Sequence, residues 1–208
     1  MKLLHKLTEE SFAKSAARFM EFVCYFIIGF YVLGTIASFM GHQAFYLHTD
    51  KGTFEYTIYT LKNNNSPLPY MAVQMGDDIH VWANEHEPIN LTIQIGLSLL
   101  YAVHTLPGIA AFWFLGRVFS NIQKGQIFTE RNSSCLLYYG FLQFLSAVFV
   151  PFIKLLICWL TSLFAPSRIS ISTGQNMFHM LISSLGFIVA AYIIHYGVHL
   201  QDPIDHTE

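Results

Sequence analysis

Lys154 is the residue whose chemistry is hardest to place. It stands inside Phe152-Ile153-Lys154-Leu155-Leu156-Ile157, three residues after Pro151. Placing an ammonium at the centre of a membrane span costs ~3 kcal/mol on insertion scales. Two readings account for it. Its apolar stem can pack in hydrocarbon while the charge snorkels to the headgroups. Alternatively it forms a polar site between helices, where Pro151 leaves a carbonyl of the preceding turn without its donor. His104 favours the second reading, because it falls near the middle of another apolar stretch and Pro107-Gly108 follow it. Two proline-broken helices beside ionisable side chains at similar depth are how many transporters build a site. The candidate intramembrane polar site is therefore Lys154 with His104, and no mid-span Asp or Glu accompanies it as a proton relay.

A second group of donors lies between the first two apolar stretches. His80 follows Asp77-Asp78, and Glu85-His86-Glu87 is a compact set of nitrogen and oxygen ligands. Zinc or copper could use His80, Asp78, His86 and Glu87. The structural reading is stronger. Gly76-Asp77-Asp78 suits a turn, Glu-His-Glu-Pro suits a solvated loop, and neither C-x-x-C nor H-E-x-x-H spacing is present. Haem would need two histidines at one depth on facing helices. His179 and His195 lie ~12 Å to either side of the depth of His104 at ~1.5 Å per residue, so the depths do not match. No cofactor is expected. No Ser/His/Asp order, phosphate loop or carboxylate pair can be picked out, so catalysis is not expected either.

These residues are positioned by four long apolar stretches. Charged residues make up only 12% of the chain, against ~25% in ordinary soluble domains. The spans are placed at 19–40, 91–116, 135–164 and 177–197. Each can cross ~30 Å of hydrocarbon as a helix, and only a helix satisfies its own backbone there. The fold class is an α-helical integral membrane protein, a four-helix transmembrane bundle with a small antiparallel β segment between helices 1 and 2. The first apolar run starts too late and is too long for a cleavable signal peptide, so it is expected to stay as an anchor.

Charge sets the orientation. Lys2, Lys6, Lys14, Arg18, Arg117, Lys124 and Arg131 flank one side of these spans, whereas Lys51, Lys62 and Arg168 flank the other. The positive-inside rule then places 1–18, 117–134 and 198–208 in the cytoplasm and 41–90 and 165–176 outside. A bacterial inner membrane is the expected location. The net charge of −2 gives no reason to expect nucleic acid. Cys24, Cys135 and Cys158 fall in or beside spans and read as buried thiols. Gly34 and Ser38 form a small-xxx-small pair, which calls for close helix packing within the bundle or with a partner.

The outer segment changes period. Phe45–Thr49 and Thr53–Leu61 are rich in β-branched and aromatic residues and flank the turn signal Asp50-Lys51-Gly52. Asn63 to Pro69 is a loop. Tyr70–Met75 and Ile79–Ala83 flank Gly76-Asp77-Asp78 as a second hairpin, giving about four antiparallel strands. About fifty residues bury little core alone, so the helix ends or a partner must cover the sheet. Tyr46, Tyr56, Tyr59, Tyr70 and Trp82 are of the types enriched at interface cores. Equally, they could cover the helix ends.

The stretch from Arg117 to Asn132 reads as helix, turn, helix. Gly125 suits a C-terminal cap, and Thr129 suits an N-cap with Glu130 in the first turn. Gly125-Gln126-Ile127-Phe128-Thr129-Glu130-Arg131-Asn132, followed by Leu136 and Gly140, resembles the G-x-x-F-T-x-x-N…L…G signature of a family of small four-span bacterial membrane proteins catalogued as a domain of unknown function. The tail from Gly197 to Glu208 is similar to the family's acidic G-x-x-L-Q…D-x-T ending. The resemblance covers some sixteen loop residues, the tail and the four-span layout. Members are often encoded beside a small helix-turn-helix regulator, which implies a membrane-side regulatory role. No catalytic residue carries over, and the outer histidines lie outside the signature.

The expectation is a non-enzymatic inner-membrane accessory, sensor or immunity protein acting through protein partners. The lipid bilayer, a membrane or extracytoplasmic protein and a second copy of the chain are its candidate partners. Tyr56, Tyr59, Tyr70, Trp82, Phe128 and Asn132 are the candidate contact residues. The alternatives are a small transporter or channel subunit using His104 and Lys154, or a metal- or haem-binding membrane protein.

Overall fold

The computed structural model describes residues 10–62, 72–74, 76–82, 91–172 and 177–201. The expectations for Tyr70, Glu85, His86, Glu87, the Asn63–Pro69 loop and the acidic tail beyond residue 201 fall outside these residues. Four long helices dominate: α1 (Glu10–Phe39), α3 (Leu91–Gln123), α4 (Glu130–Phe164) and α5 (Met177–Gln201). Between α1 and α3 come strands β1 (Ala44–Thr49) and β2 (Gly52–Thr57), a short helix α2 (Ile58–Lys62) and strand β3 (Asp78–Trp82); strand β4 (Arg168–Ser172) follows α4. All four long helices are long and apolar enough to cross a membrane. They also outrun the apolar stretches. α3 continues seven residues past Gly116 and spans 33 residues, about 50 Å of helix. Neither Pro107 nor Pro151 ends its helix, since both lie inside α3 and α4.

The exposed surface of α1 explains the composition. Phe19, Phe22, Phe26, Phe30 and Leu33 recur at helical spacing and are each at least 60% exposed. Such a stripe suits lipid rather than water.

The described residues form two compact units. The first draws on Met1–Phe30, Pro107–Leu145 and Phe178–Glu208. Its core is Cys24, Ala111, Leu115, Val118, Cys135, Leu136, Tyr139 and Ala191. Tyr139 lies between Phe112 and Phe187 in edge-to-face contacts, the arrangement favoured by ring quadrupoles. Ser133 donates to the Ala191 carbonyl at 2.8 Å.

The second unit draws on Tyr31–Leu106 and Ser146–Met177 and contains the sheet. Its strand order is β2-β1-β3-β4. β1 and β2 form the expected hairpin, with Thr49 opposite Gly52. Three features depart from the sequence reading. First, β3 runs parallel to β1, with Tyr46 opposite His80 and His48 opposite Trp82. Twenty residues separate β2 from β3, enough for the crossover that a parallel pair needs. Second, the other edge of β3 is taken by β4, antiparallel, with His80 opposite Ser170. No hairpin at Gly76-Asp77-Asp78 can then form, and Val73 bridges Gln43 instead. The sheet is mixed, and one strand comes from the short segment after α4 rather than from the region between α1 and α3. Third, the strand expected over Thr53–Leu61 stops at Thr57. Thr60 N donates to Thr57 Oγ1 at 3.2 Å and Thr57 N donates to Thr60 Oγ1 at 3.1 Å. This reciprocal cap starts α2 and overrides the β-branched density of the segment.

The inner face of the sheet closes the larger core. Phe45, Leu47, Ile79, Val81 and Ile169 pack with Ile58 and with Ile93, Leu97, Leu100, Tyr101 and Cys158 of the helices. A polar seam joins α1 to α3 in the same unit. Ser98 Oγ donates to the Ser38 carbonyl at 3.0 Å, Gln94 Nε2 donates to the Phe39 carbonyl at 2.9 Å, and the Thr35 and Thr105 hydroxyls lie 3.1 Å apart. The small pair Gly34 and Ser38 thus serves packing inside the chain, with Tyr101 lying where a side chain on Gly34 would go.

Candidate functional site

Lys154 is buried in the second unit. Its ammonium donates to Asp77 Oδ2 at 2.5 Å, and the two side chains are 4% and 2% exposed. Its Nζ also lies 3.3 Å from His104 Nδ1. An ammonium carries only donors, so Nδ1 must accept and the half-buried imidazole holds its proton on Nε2. Its partners among the described residues are the side chains of Asp77 and His104. Lys154 and His104 come together.

Asp77 was missed. It precedes β3 and reads in sequence as a turn residue, yet it is buried against Lys154, 77 positions further along the chain. The signal that could have found it is a lysine in an apolar helix, which calls for a carboxylate wherever the fold can supply one. The pair is neutral as a whole, and the imidazole adds a third polar group without charge. Asp77 Oδ1 has no hydrogen-bond partner among the described residues. One acceptor in this buried cluster therefore stays available to a proton, a water or a small cation.

The face of the sheet opposite the core carries a second constellation. His48 Nε2 and His80 Nδ1 lie 2.9 Å apart, and Thr53 Oγ1 is 2.9 Å from His48 Nδ1. His48 stacks on Trp82 at 4.6 Å with a 10° interplanar angle, and His80 stacks on Tyr46 at 5.5 Å. Period-two alternation puts all of these on one face. His80 thus belongs to this array; Asp78 is exposed at the start of β3. Among the described residues no group of three or more His, Cys, Asp and Glu is placed to hold a metal ion.

The contact candidates divide. Trp82, Tyr59 and Phe128 are exposed. Tyr59 stacks on His42 at 4.6 Å, while Tyr56 packs against the core and so helps to cover the helix ends. Asn132 is fully buried. Its Nδ2 donates to the carbonyls of Gln126 and Ile127, its Oδ1 accepts from Asn121 at 2.7 Å, and its backbone N donates to Thr129 Oγ1 at 3.2 Å. Asn132 therefore holds the turn together and has no surface to offer a partner. The turn itself has the expected caps. Gly125 adopts φ +79°, Gln126 N donates to the Asn121 carbonyl and Gly125 N to the Ile122 carbonyl, which is a Schellman end. Gly41, at φ +87°, ends α1 in the same way.

Against known proteins, the chain matches no family model, no curated protein and no solved structure.

Proposed function

We propose that this is a non-enzymatic inner-membrane protein of the accessory, sensor or immunity type, working through protein partners. Its four long helices would sit in the bilayer, with both termini and the 117–134 loop in the cytoplasm. The single observation carrying this reading is the two-faced sheet. One face is joined to the helices by a continuous apolar core and by the buried Lys154–Asp77 pair. The other holds Tyr46, His48, His80 and Trp82 in stacked register at the surface. A rigid, aromatic-rich face on a membrane anchor suits recognition, because preorganised side chains lose little entropy on binding. The resemblance of the 125–132 loop to the four-span family supports a regulatory role on the cytoplasmic side, with Phe128 exposed in that loop.

The test is photo-crosslinking in native membranes. A photoreactive residue replacing Trp82 should capture a discrete protein band that a probe replacing the exposed, helix-borne Leu163 does not. Equal labelling from both positions, or lipid adducts alone at Trp82, would remove the recognition reading.

A small transporter or channel subunit is the second reading, and the buried Lys154–Asp77–His104 cluster with its spare carboxylate oxygen favours it. Proton or cation flux in proteoliposomes that is lost in Asp77→Asn would support it, and flux no greater than in empty liposomes would end it.

A further inference from the structure

The two imidazoles on the outer face of the sheet are hydrogen-bonded to each other, and that bond tolerates one added proton but not two. His48 Nε2 and His80 Nδ1 lie 2.9 Å apart. One of these nitrogens must carry a hydrogen and the other a lone pair. In the neutral pair either assignment serves, because the Thr53 hydroxyl, 2.9 Å from His48 Nδ1, can donate or accept. With one added proton the bond persists between an imidazolium donor and an imidazole acceptor, now charge-assisted. With two, both facing nitrogens carry hydrogens. No lone pair is left between them, and two like charges stand in contact. We propose that His48 and His80 form an acid-operated switch. It keeps Tyr46 and Trp82 in their stacked arrangement near neutral pH and releases them when both rings are protonated.

The surroundings turn that chemistry into motion. The two histidines stand on parallel neighbouring strands of fixed register, so the backbone cannot part and the rings must swing instead. His48 stacks on Trp82 and His80 on Tyr46, so a swing of either ring breaks a stack. Both histidines are half-buried, and protons reach them from the surface. Their direct cross-strand neighbours on the flanking strands are uncharged, Thr53 on β2 and Ser170 on β4. The charged groups of this face are offset from them: Glu55 opposite Tyr46, Arg168 opposite Trp82, Asp78 two residues before His80, and Asp50 and Lys51 in the β1–β2 turn. The Tyr46 phenol completes the titratable set, and His42, before β1, stacks on Tyr59 instead. Histidine is the side chain that changes charge between about pH 5 and about pH 8, and such pairs serve as pH sensors elsewhere. Control of a partner by this switch rests on the recognition reading above; the parting of the rings does not.

The experiment follows the full-length protein with isotope-labelled histidine, in nanodiscs, by nuclear magnetic resonance from about pH 8 to about pH 4. Nitrogen–nitrogen coupling across the shared hydrogen should be present at the upper end and lost at the lower, with both rings then fully protonated. Accessibility of Trp82 to acrylamide, read with Trp113→Phe and Trp159→Phe in place, should rise in the same step while far-ultraviolet circular dichroism stays constant. His80→Gln replaces one ring by an acceptor that takes no proton, so Trp82 should stay covered in acid. Coupling that persists at the acid end, or that is lost only as the whole fold is lost, would overturn the switch. An equal rise in Trp82 accessibility in His80→Gln would also overturn it and assign the response to Glu55 and Asp78. The wild-type coupling decides the matter even if the variant fails to fold. These measurements use no partner, so crosslinking at Trp82 can fail without affecting them. Crosslinking that succeeds and is unchanged in acid would keep the recognition reading and end the control of a partner by this pair.

Discussion

Replacing Lys154 by methionine separates the two origins of a charge in an apolar helix. A snorkelling lysine would lose nothing by the change, because the stem still packs and an insertion cost disappears. The structure implies the opposite. Asp77 would be left buried without its counter-charge, with Oδ2 newly unpaired and Oδ1 already without a partner among the described residues. Removing one member of a buried ion pair costs about 3–5 kcal/mol. For a chain of this size that corresponds to a fall in Tm of about 6–20 °C. The double variant Lys154→Met/Asp77→Leu removes both charges, and replacing a buried pair by apolar residues is often neutral or stabilising, so most of the loss should return. The assay is thermal unfolding in nanodiscs followed by tryptophan fluorescence, for wild type, both single variants and the double. A single variant as stable as wild type would refute the buried pair. A double variant no better than Lys154→Met would show that the loss arises from packing and not from the stranded carboxylate.

Two further outcomes are expected. In a variant lacking Cys24, Cys135 and Cys158, a cysteine at Asn64 should react with membrane-impermeant maleimide in intact cells and one at Lys124 should not; labelling at position 124 from outside would reverse the orientation. Gly34→Ala should destabilise by about 1–3 kcal/mol, as overpacking does, because the new Cβ would overlap the Tyr101 ring, and Tyr101→Leu in the same chain should relieve most of it; an unaffected single variant would mean that α1 and α3 do not approach there.

The four long helices follow from the sequence, although α1, α3, α4 and α5 each outrun the expected span at one end. An apolar run of twenty or more residues has one way to satisfy its backbone in hydrocarbon, so α1, α3, α4 and α5 need no tertiary information. The turn between α3 and α4 is equally local. Gly125 is free to adopt positive φ and Thr129 has an oxygen one turn before the amide it caps, so both are legible from spacing alone. The β1–β2 hairpin belongs to the same class. What tertiary structure decided is everything that joins residues distant in the chain. The alternation of Arg168-Ile169-Ser170-Ile171-Ser172 is a strand signal, but five residues do not say which edge they join. That edge is β3, and its occupation excludes the second hairpin. Thr53–Leu61 carries β propensity throughout, yet the mutual cap of Thr57 and Thr60 and the burial of Ile58 turn its second half into helix. Asn132 looks like a motif residue for a partner and proves to be the buried tie of its own turn. Gly34 and Ser38 left open whether they pack on a partner, and Tyr101 and Ser98 supply the answer. Lys154 announced a need for a counter-charge, and the sequence offered thirteen acidic residues. Only the fold selects Asp77, because a carboxylate becomes the partner of a buried ammonium through shared burial, and burial is a property of the packed chain rather than of any segment within it.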